Sequence, residues 1–168
     1  MGATRRPLSQ QTAAMDLPSY ITGLCEGEAC FTVSFSLRRK LRLGIEVRPS
    51  FSLSQHKRNL EVVKLLREYF GAGGIRFSRP DQNYKFEVRG IEDLMKTVIP
   101  HFRKYELLSR KKHDFERFAK VCELVHASKH KSLTGMRSII SLAYEMNPSG
   151  RRKHQKDKLL RLLDKVKE

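Results

Sequence analysis

Two acids flank a glycine in Glu26-Gly27-Glu28, directly before the run Cys30-Phe31-Thr32-Val33-Ser34-Phe35-Ser36-Leu37. The preceding stretch, Pro18 to Glu26, reads as a short helix with Asp16 as N-cap and Pro18 in its first turn. Both acids then fall at a helix C-terminus, where the macrodipole disfavours negative charge. Something positive should compensate. A divalent cation is the natural candidate, because carboxylate and carbonyl oxygens are the ligands Mg²⁺ prefers. Two solvated glutamates in a surface turn would give the same pattern, so local chemistry leaves both readings open. Elsewhere the candidates are weaker. The six histidines show no metal spacing with the cysteines, and His126 and His130 lie on a basic segment without a carboxylate. Neither a P-loop nor a dinucleotide fingerprint is present.

The elements around the acids follow from periodicity. Phe31, Val33, Phe35 and Leu37 alternate with Thr32, Ser34 and Ser36, which predicts a strand with one buried face. Arg38 to Leu41 is a basic turn. A second alternation sets Leu43, Ile45, Val47, Phe51 and Leu53 against Arg42, Glu46, Arg48, Ser50 and Ser52, completing a hairpin. Lys57 to Phe70 is an amphipathic helix ended by Gly71-Ala72-Gly73-Gly74. A second strand pair follows: Ile75 and Phe77 alternate with Arg76 and Ser78, then Tyr84, Phe86 and Val88 with Asn83, Lys85 and Glu87. Ile91 to Val98 is a helix that Pro100 should end. Ser109 to Ala127 and Thr134 to Met146 are further helices, and the leucines of the basic tail from Arg151 predict a short docking helix. Helix, hairpin, helix, hairpin, helices is the order of an α+β domain with helices on one face of an antiparallel sheet. Residues 1–15 read as a flexible arm, 16–150 as the domain and 151–168 as a basic helix or tail. Arg5 and Arg6 in the arm also fit an organelle-targeting remnant.

Charge narrows the function. The chain has 168 residues, with 34 Lys and Arg against 18 Asp and Glu, a formal net charge of +16. A domain this basic meets a polyanion, and nucleic acid is the default. No apolar run approaches membrane-spanning length, so no membrane partner is expected. Three cysteines are too few for a disulfide framework and favour a reducing compartment. The polar strand faces carry Arg42, Arg48, Arg76 and Lys85 among Ser, Thr and Asn. A two-stranded ribbon fits the major groove of duplex DNA, where Arg reads guanine and Asn reads adenine. The candidate readers are Thr32, Ser34, Ser36, Arg38, Arg42, Glu46, Arg48, Ser50, Ser52, Arg76, Ser78, Asn83, Lys85 and Glu87. Arg110-Lys111-Lys112 and Arg151 to Lys153 read as phosphate contacts or solvated charge rather than sequence readers.

Ile21-Thr22-Gly23-Leu24-Cys25-Glu26-Gly27-Glu28-Ala29 resembles the signature of the LAGLIDADG homing endonucleases, and CFTVSF resembles their first strand. FSLSQ, GAGGI and the stretch from Ile99 to Phe118 resemble later elements in the same order, so the likeness runs from about Leu17 to Gly150. It implies an αββαββα core with a saddle-shaped, DNA-binding four-stranded sheet. It also implies that Glu28 is the metal-binding catalytic carboxylate and that the Gly27 carbonyl faces the same metal, with Glu26 more structural. Gln55 matches a polar residue that positions water or metal. Lys111 is the best match to a catalytic lysine, with Lys112 or Lys104 as alternatives, and Lys57 or Arg58 would approach the scissile phosphate. The cofactor implied is Mg²⁺, or another divalent cation such as Mn²⁺ or Ca²⁺. Ala29 departs from the family's usual glycine, which predicts an altered local turn.

The motif occurs once. By the same resemblance the protein is a homodimer packed through its motif helices, at Leu17, Ile21, Gly23 and Leu24, and cuts both strands of a long pseudo-palindromic double-stranded DNA site. An intron maturase that partners intron RNA, or a non-cleaving DNA-binding regulator, uses the same fold. Family habit places such proteins in organelles, mitochondrion or chloroplast.

Overall fold

The computed structural model describes residues 16–148 and 150–166. The expected arm at 1–15 lies outside the described residues. Helix α1 (Leu17–Glu28) runs directly into strand β1 (Ala29–Leu37). Strand β2 (Ile45–His56) follows, then a 3-10 turn (Lys57–Asn59) and helix α2 (Leu60–Phe70). Strands β3 (Gly74–Ser78) and β4 (Asn83–Val88) form the second hairpin. Helix α3 (Ile91–Asp93), a π-helical stretch (Leu94–Val98) and helix α4 (Ile99–Lys104) come next. Helices α5 (Lys111–His126), α6 (Leu133–Tyr144) and α7 (Lys156–Asp164) complete the chain. The α+β expectation holds: one antiparallel sheet has the order β1-β2-β4-β3, with helices on its apolar face.

Cross-strand register explains the two faces. The pairs Phe31↔Phe51 and Phe51↔Val88 put one apolar row across three strands, and Leu53↔Phe86 and Ile75↔Phe86 make the next. Phe31 is the hub, with ring centroids 5.2–5.4 Å from Phe51, Phe102, Phe115 and Phe118. Pro49 sits opposite Val33 in β2, at a pair that exchanges no ladder bonds, so its missing N–H costs nothing there.

The turn chemistry is as expected at Gly71, which adopts φ 61° and closes α2 with its N–H on the Arg67 carbonyl. Gly73 is more constrained: at φ 82°, a Cβ there would lie 2.6 Å from the Glu87 carbonyl oxygen. Ala29 needs no glycine-like conformation, since φ −85° and ψ 157° are ordinary extended backbone. Three boundaries correct the sequence reading. Pro100 does not end its helix: the helical backbone continues without a break from Ile91 to Lys104, and the turn just before the proline widens to a π-helix, with the Ile99 N–H on the Leu94 carbonyl, which accommodates the missing N–H. Leu43 lies in the β1–β2 turn rather than in β2, although its side chain is buried. Phe77 is exposed at the sheet edge, its ring tilted against Tyr84 at 4.8 Å instead of entering the core. The predicted docking helix exists as α7 and inserts Leu159 and Leu163 into the core. Among the described residues, no helix is long and apolar enough to cross a membrane.

Candidate active site and nucleic-acid interface

The acid turn is held by a two-way exchange between the end of α1 and the start of α5. The Glu26 carboxylate accepts the backbone N–H groups of Leu108 and of Ser109, the latter at 3.1 Å. In return, the Lys111 ammonium donates to the Cys25 carbonyl at 2.9 Å and to the Ala29 carbonyl at 2.6 Å. An acid from one helix end satisfies orphan donors ahead of the next helix, and a lysine from that helix satisfies the carbonyls where α1 stops. Lys111 therefore supplies the positive charge that the sequence demanded at the α1 C-terminus. Partial burial alone would raise the Glu26 carboxyl, but the hydrogen bonds from Ser109 and Leu108, with the Lys111 charge, hold it below its ordinary value.

Glu28 is exposed and makes no ion pair among the described residues. It follows Gly27, also exposed. Gln55 lies on the helix side of the sheet, in one row with Tyr84 and Phe77, and accepts from Asn59 at 3.0 Å. It thus lies at the end of β2 on the helix side of the sheet rather than on the open face. The alternative lysines are engaged elsewhere: Lys112 pairs with Glu106 at 2.8 Å and Lys104 lies over the Tyr105 ring. Lys57 reaches Gln82 and Arg58 reaches His56. Among the described residues, no cluster of three or more His, Cys, Asp or Glu could hold a metal within one chain. The oxygen donors at Glu28 and Gly27 are of the hard kind a divalent cation takes, and Glu28 is exposed.

The open face forms continuous rows. Ser36 pairs with Glu46, Ser34 with Arg48 and Thr32 with Ser50; Cys30, Ser52 and Glu87 form one wider row, and Ser54, Lys85 and Arg76 another. Asn83 and Ser78 close it beside His56. The charges are pre-arranged: Glu46 accepts from both Arg38 and Arg48 at 2.9 and 2.8 Å, and Glu87 pairs with Lys85 and Arg89. The hydrogen bond from Arg38, with that of Arg48, holds the Glu46 carboxyl below its ordinary range; at Glu87 desolvation alone would raise it, but the hydrogen bonds and charges of Lys85 and Arg89 hold it below.

Three expected site residues are corrected. Arg42 lies in the β1–β2 turn, not on the strand face. Ser52 is buried in mid-sheet between Cys30 and Glu87, not exposed on the face as expected. Ile21 is fully buried in the protomer's own core and is not available to a partner; Leu17, Tyr20 and Leu24 are only half-buried, with Gly23 and Gly27 exposed on the same side of α1. Two face residues escaped the sequence reading. Ser54 is exposed and simply continues the alternation of Ser50 and Ser52, while Cys30 occupies a face position at the start of β1.

A sheet with one open cationic face and an acid turn at its edge defines a nucleic-acid-directed domain with a candidate hydrolytic centre. Residues 21–122 match the LAGLIDADG endonuclease family, and the chain belongs to that family. It is 32% identical over 127 residues to a probable intron-encoded endonuclease 3 of Neurospora crassa, covering 75% of this chain and 24% of that protein. Against the crystal structure of the homing endonuclease I-TnaI the TM-score is 0.76 at 31% identity, covering 89% of this chain and 97% of that one. Against the archaeal intron-encoded homing endonuclease I-Vdi141I complexed with DNA it is 0.82 at 28% identity, covering 89% and 96%. The chain spans only 24% and 29% of the two Neurospora crassa relatives it matches.

Proposed function

We propose that this chain is a site-specific homing endonuclease that cuts both strands of a long duplex target as a homodimer. The observation that carries the reading is Glu28, an exposed carboxylate without a counter-ion, positioned by the Glu26–Lys111 exchange at the border of a cationic open face. The open rows of Arg, Lys, Ser and Asn suit base edges and phosphates together. Structures of relatives bound to DNA support duplex DNA as the partner.

Phosphodiester hydrolysis needs a water aligned with the leaving oxygen and positive charge on the phosphate. A divalent cation, Mg²⁺ foremost, would be held by Glu28 and the Gly27 carbonyl with their counterparts in the second copy, and when bound it supplies charge to the attacking and leaving oxygens. Gln55 orients water at the end of β2. Lys111 stiffens the acid turn from behind and adds positive field, and Lys57 or Arg58 approaches the phosphate from the 3-10 turn. No protein nucleophile is required. The intron-encoded names of the relatives support an origin within an intron, for which an organelle genome is the proposed host.

The test is Glu28→Gln. Cleavage of duplex spanning the uninterrupted insertion site should vanish in Mg²⁺ while binding to the same duplex persists. A variant that still cuts at the wild-type rate removes Glu28 from the mechanism. A wild type that binds duplex and never cuts it refutes the nuclease reading.

A further inference from the structure

Strand β1 is an edge of the sheet, and along it runs a groove of about 940 Å³ whose opposite wall is the segment after α6. Asn147 closes one end by donating its side-chain amide to the Phe31 carbonyl at 2.8 Å. That contact fixes the orientation of the edge. Phe31 points its polar backbone groups away from β2, so by antiparallel alternation Val33 and Phe35 point theirs into the groove as well. An uncovered edge with free N–H groups is normally a liability. Here the opposite wall is basic.

The wall is built by Arg152. Its guanidinium donates to the carbonyls of Ala143 and of Met146, the latter at 2.7 Å, and lies 4.6 Å from the Tyr144 ring centroid. It thereby caps the end of α6. Tyr144 in turn donates to the His154 carbonyl. With Arg152 turned inward, its neighbours Arg151 and Lys153 are exposed along the groove, joined by Arg110 from the head of α5. These three cations make no ion pair among the described residues. The one acid of the lining, Asp114, is occupied by the Asn147 backbone N–H.

We propose that this groove carries the nucleic-acid-binding surface past the β1 edge, beyond the open-face residues Thr32, Ser34 and Ser36 that form its near wall, and grips the phosphodiester backbone through Arg110, Arg151 and Lys153 and the edge N–H groups of Val33 and Phe35. This inference rests on the nucleic-acid reading of the open face. A peptide strand could use the same edge, but the three unpaired cations and the engaged acid favour a polyanion. Backbone N–H and Arg or Lys groups are the usual phosphate partners, and they carry no sequence information. The groove would lengthen the footprint and add affinity without adding specificity.

The experiment measures binding of the full chain to a random-sequence duplex as a function of KCl. The double variant Arg151→Gln/Lys153→Gln removes two cations from the groove, and Lys158→Gln/Lys165→Gln removes two exposed cations from α7 and its C-cap as a charge-matched control. Each lost phosphate contact flattens the slope of log K against log[KCl] by about 0.9. The groove variant should flatten it by about twice that, with the control close to wild type. Equal flattening in both variants means that the charge acts only as a diffuse field and overturns the proposal. No flattening in either overturns it too. A wild type without salt-dependent duplex binding overturns the parent reading itself.

Discussion

A single buried histidine ties three helices to the motif. His101 accepts from the Tyr69 hydroxyl at Nδ1, 2.9 Å, and meets the Thr22 hydroxyl at Nε2, 3.1 Å. Thr22 also donates to the Tyr105 carbonyl. A hydroxyl has one hydrogen, so Thr22 must accept from Nε2–H, which leaves Nδ1 bare for Tyr69. The order of donors therefore fixes the tautomer, and the chain runs from α2 through α4 into α1. Desolvation lowers the His101 pKa from an ordinary 6.5 to about 4. In that window the unfolded chain takes up a proton that the folded chain refuses, so stability falls as pH drops from 6.5 towards 4 and levels off below. The loss is ~3 kcal/mol at most. Urea unfolding of wild type and His101→Gln across this range checks it: the difference between the two should shrink as pH falls. A constant difference would mean that His101 titrates alike in both states.

At the scale of elements, α1 and α5 cap one another, and the turn bearing Glu28 lies between the two bonds. Glu26→Gln weakens one side and Lys111→Met removes the other. Each should cost about 1–2 kcal/mol, the range for partly exposed charge-assisted hydrogen bonds. Because both close the same junction, the double variant should cost less than the sum by ~0.5 kcal/mol or more, measured by chemical denaturation. Strict additivity would show two independent bonds. The Glu26 contribution is present above its unfolded pKa of 4.5 and disappears as pH falls through the lower folded value. The acids, the helix end and the need for compensating charge were all legible in the sequence. The identity of the compensating cation was not, because Lys111 lies 82 residues from Ala29 and only the packing of α5 onto β1 brings them together. Strand faces were legible from period two alone. Their failures, at Arg42, Leu43 and Phe77, sit where strands end and neighbouring strands no longer dictate direction. Pro100 misled for a different reason: its missing N–H is absorbed by the π-helical turn before it, which the pattern of apolar residues does not announce.

For the whole molecule, the apolar side of α1 divides in two. Ile21 and Cys25 belong wholly to the protomer's core. About a third of a turn away, by the 100° advance per residue, Leu17, Tyr20, Gly23, Leu24 and Gly27 make a second stripe that the protomer leaves half-covered. A Cβ on Gly23 or Gly27 would meet nothing within 4 Å in the protomer, so the protomer itself imposes no demand for glycine there. Glycine in mid-helix is unfavourable by about 1 kcal/mol relative to Ala. The proposed homodimer would resolve the contradiction, since small residues let two α1 backbones approach and would bring two Glu28 carboxylates to one centre. Gly23→Leu separates the two demands. The isolated protomer should become more stable by ~0.8 kcal/mol from helix propensity, while self-association weakens, read by sedimentation equilibrium with and without duplex. Duplex cutting should fall with the dimer, and the salt-dependent affinity of each protomer should remain. If the variant stays dimeric and active, the association runs through another surface, and the glycine at position 23 answers to something other than a second α1.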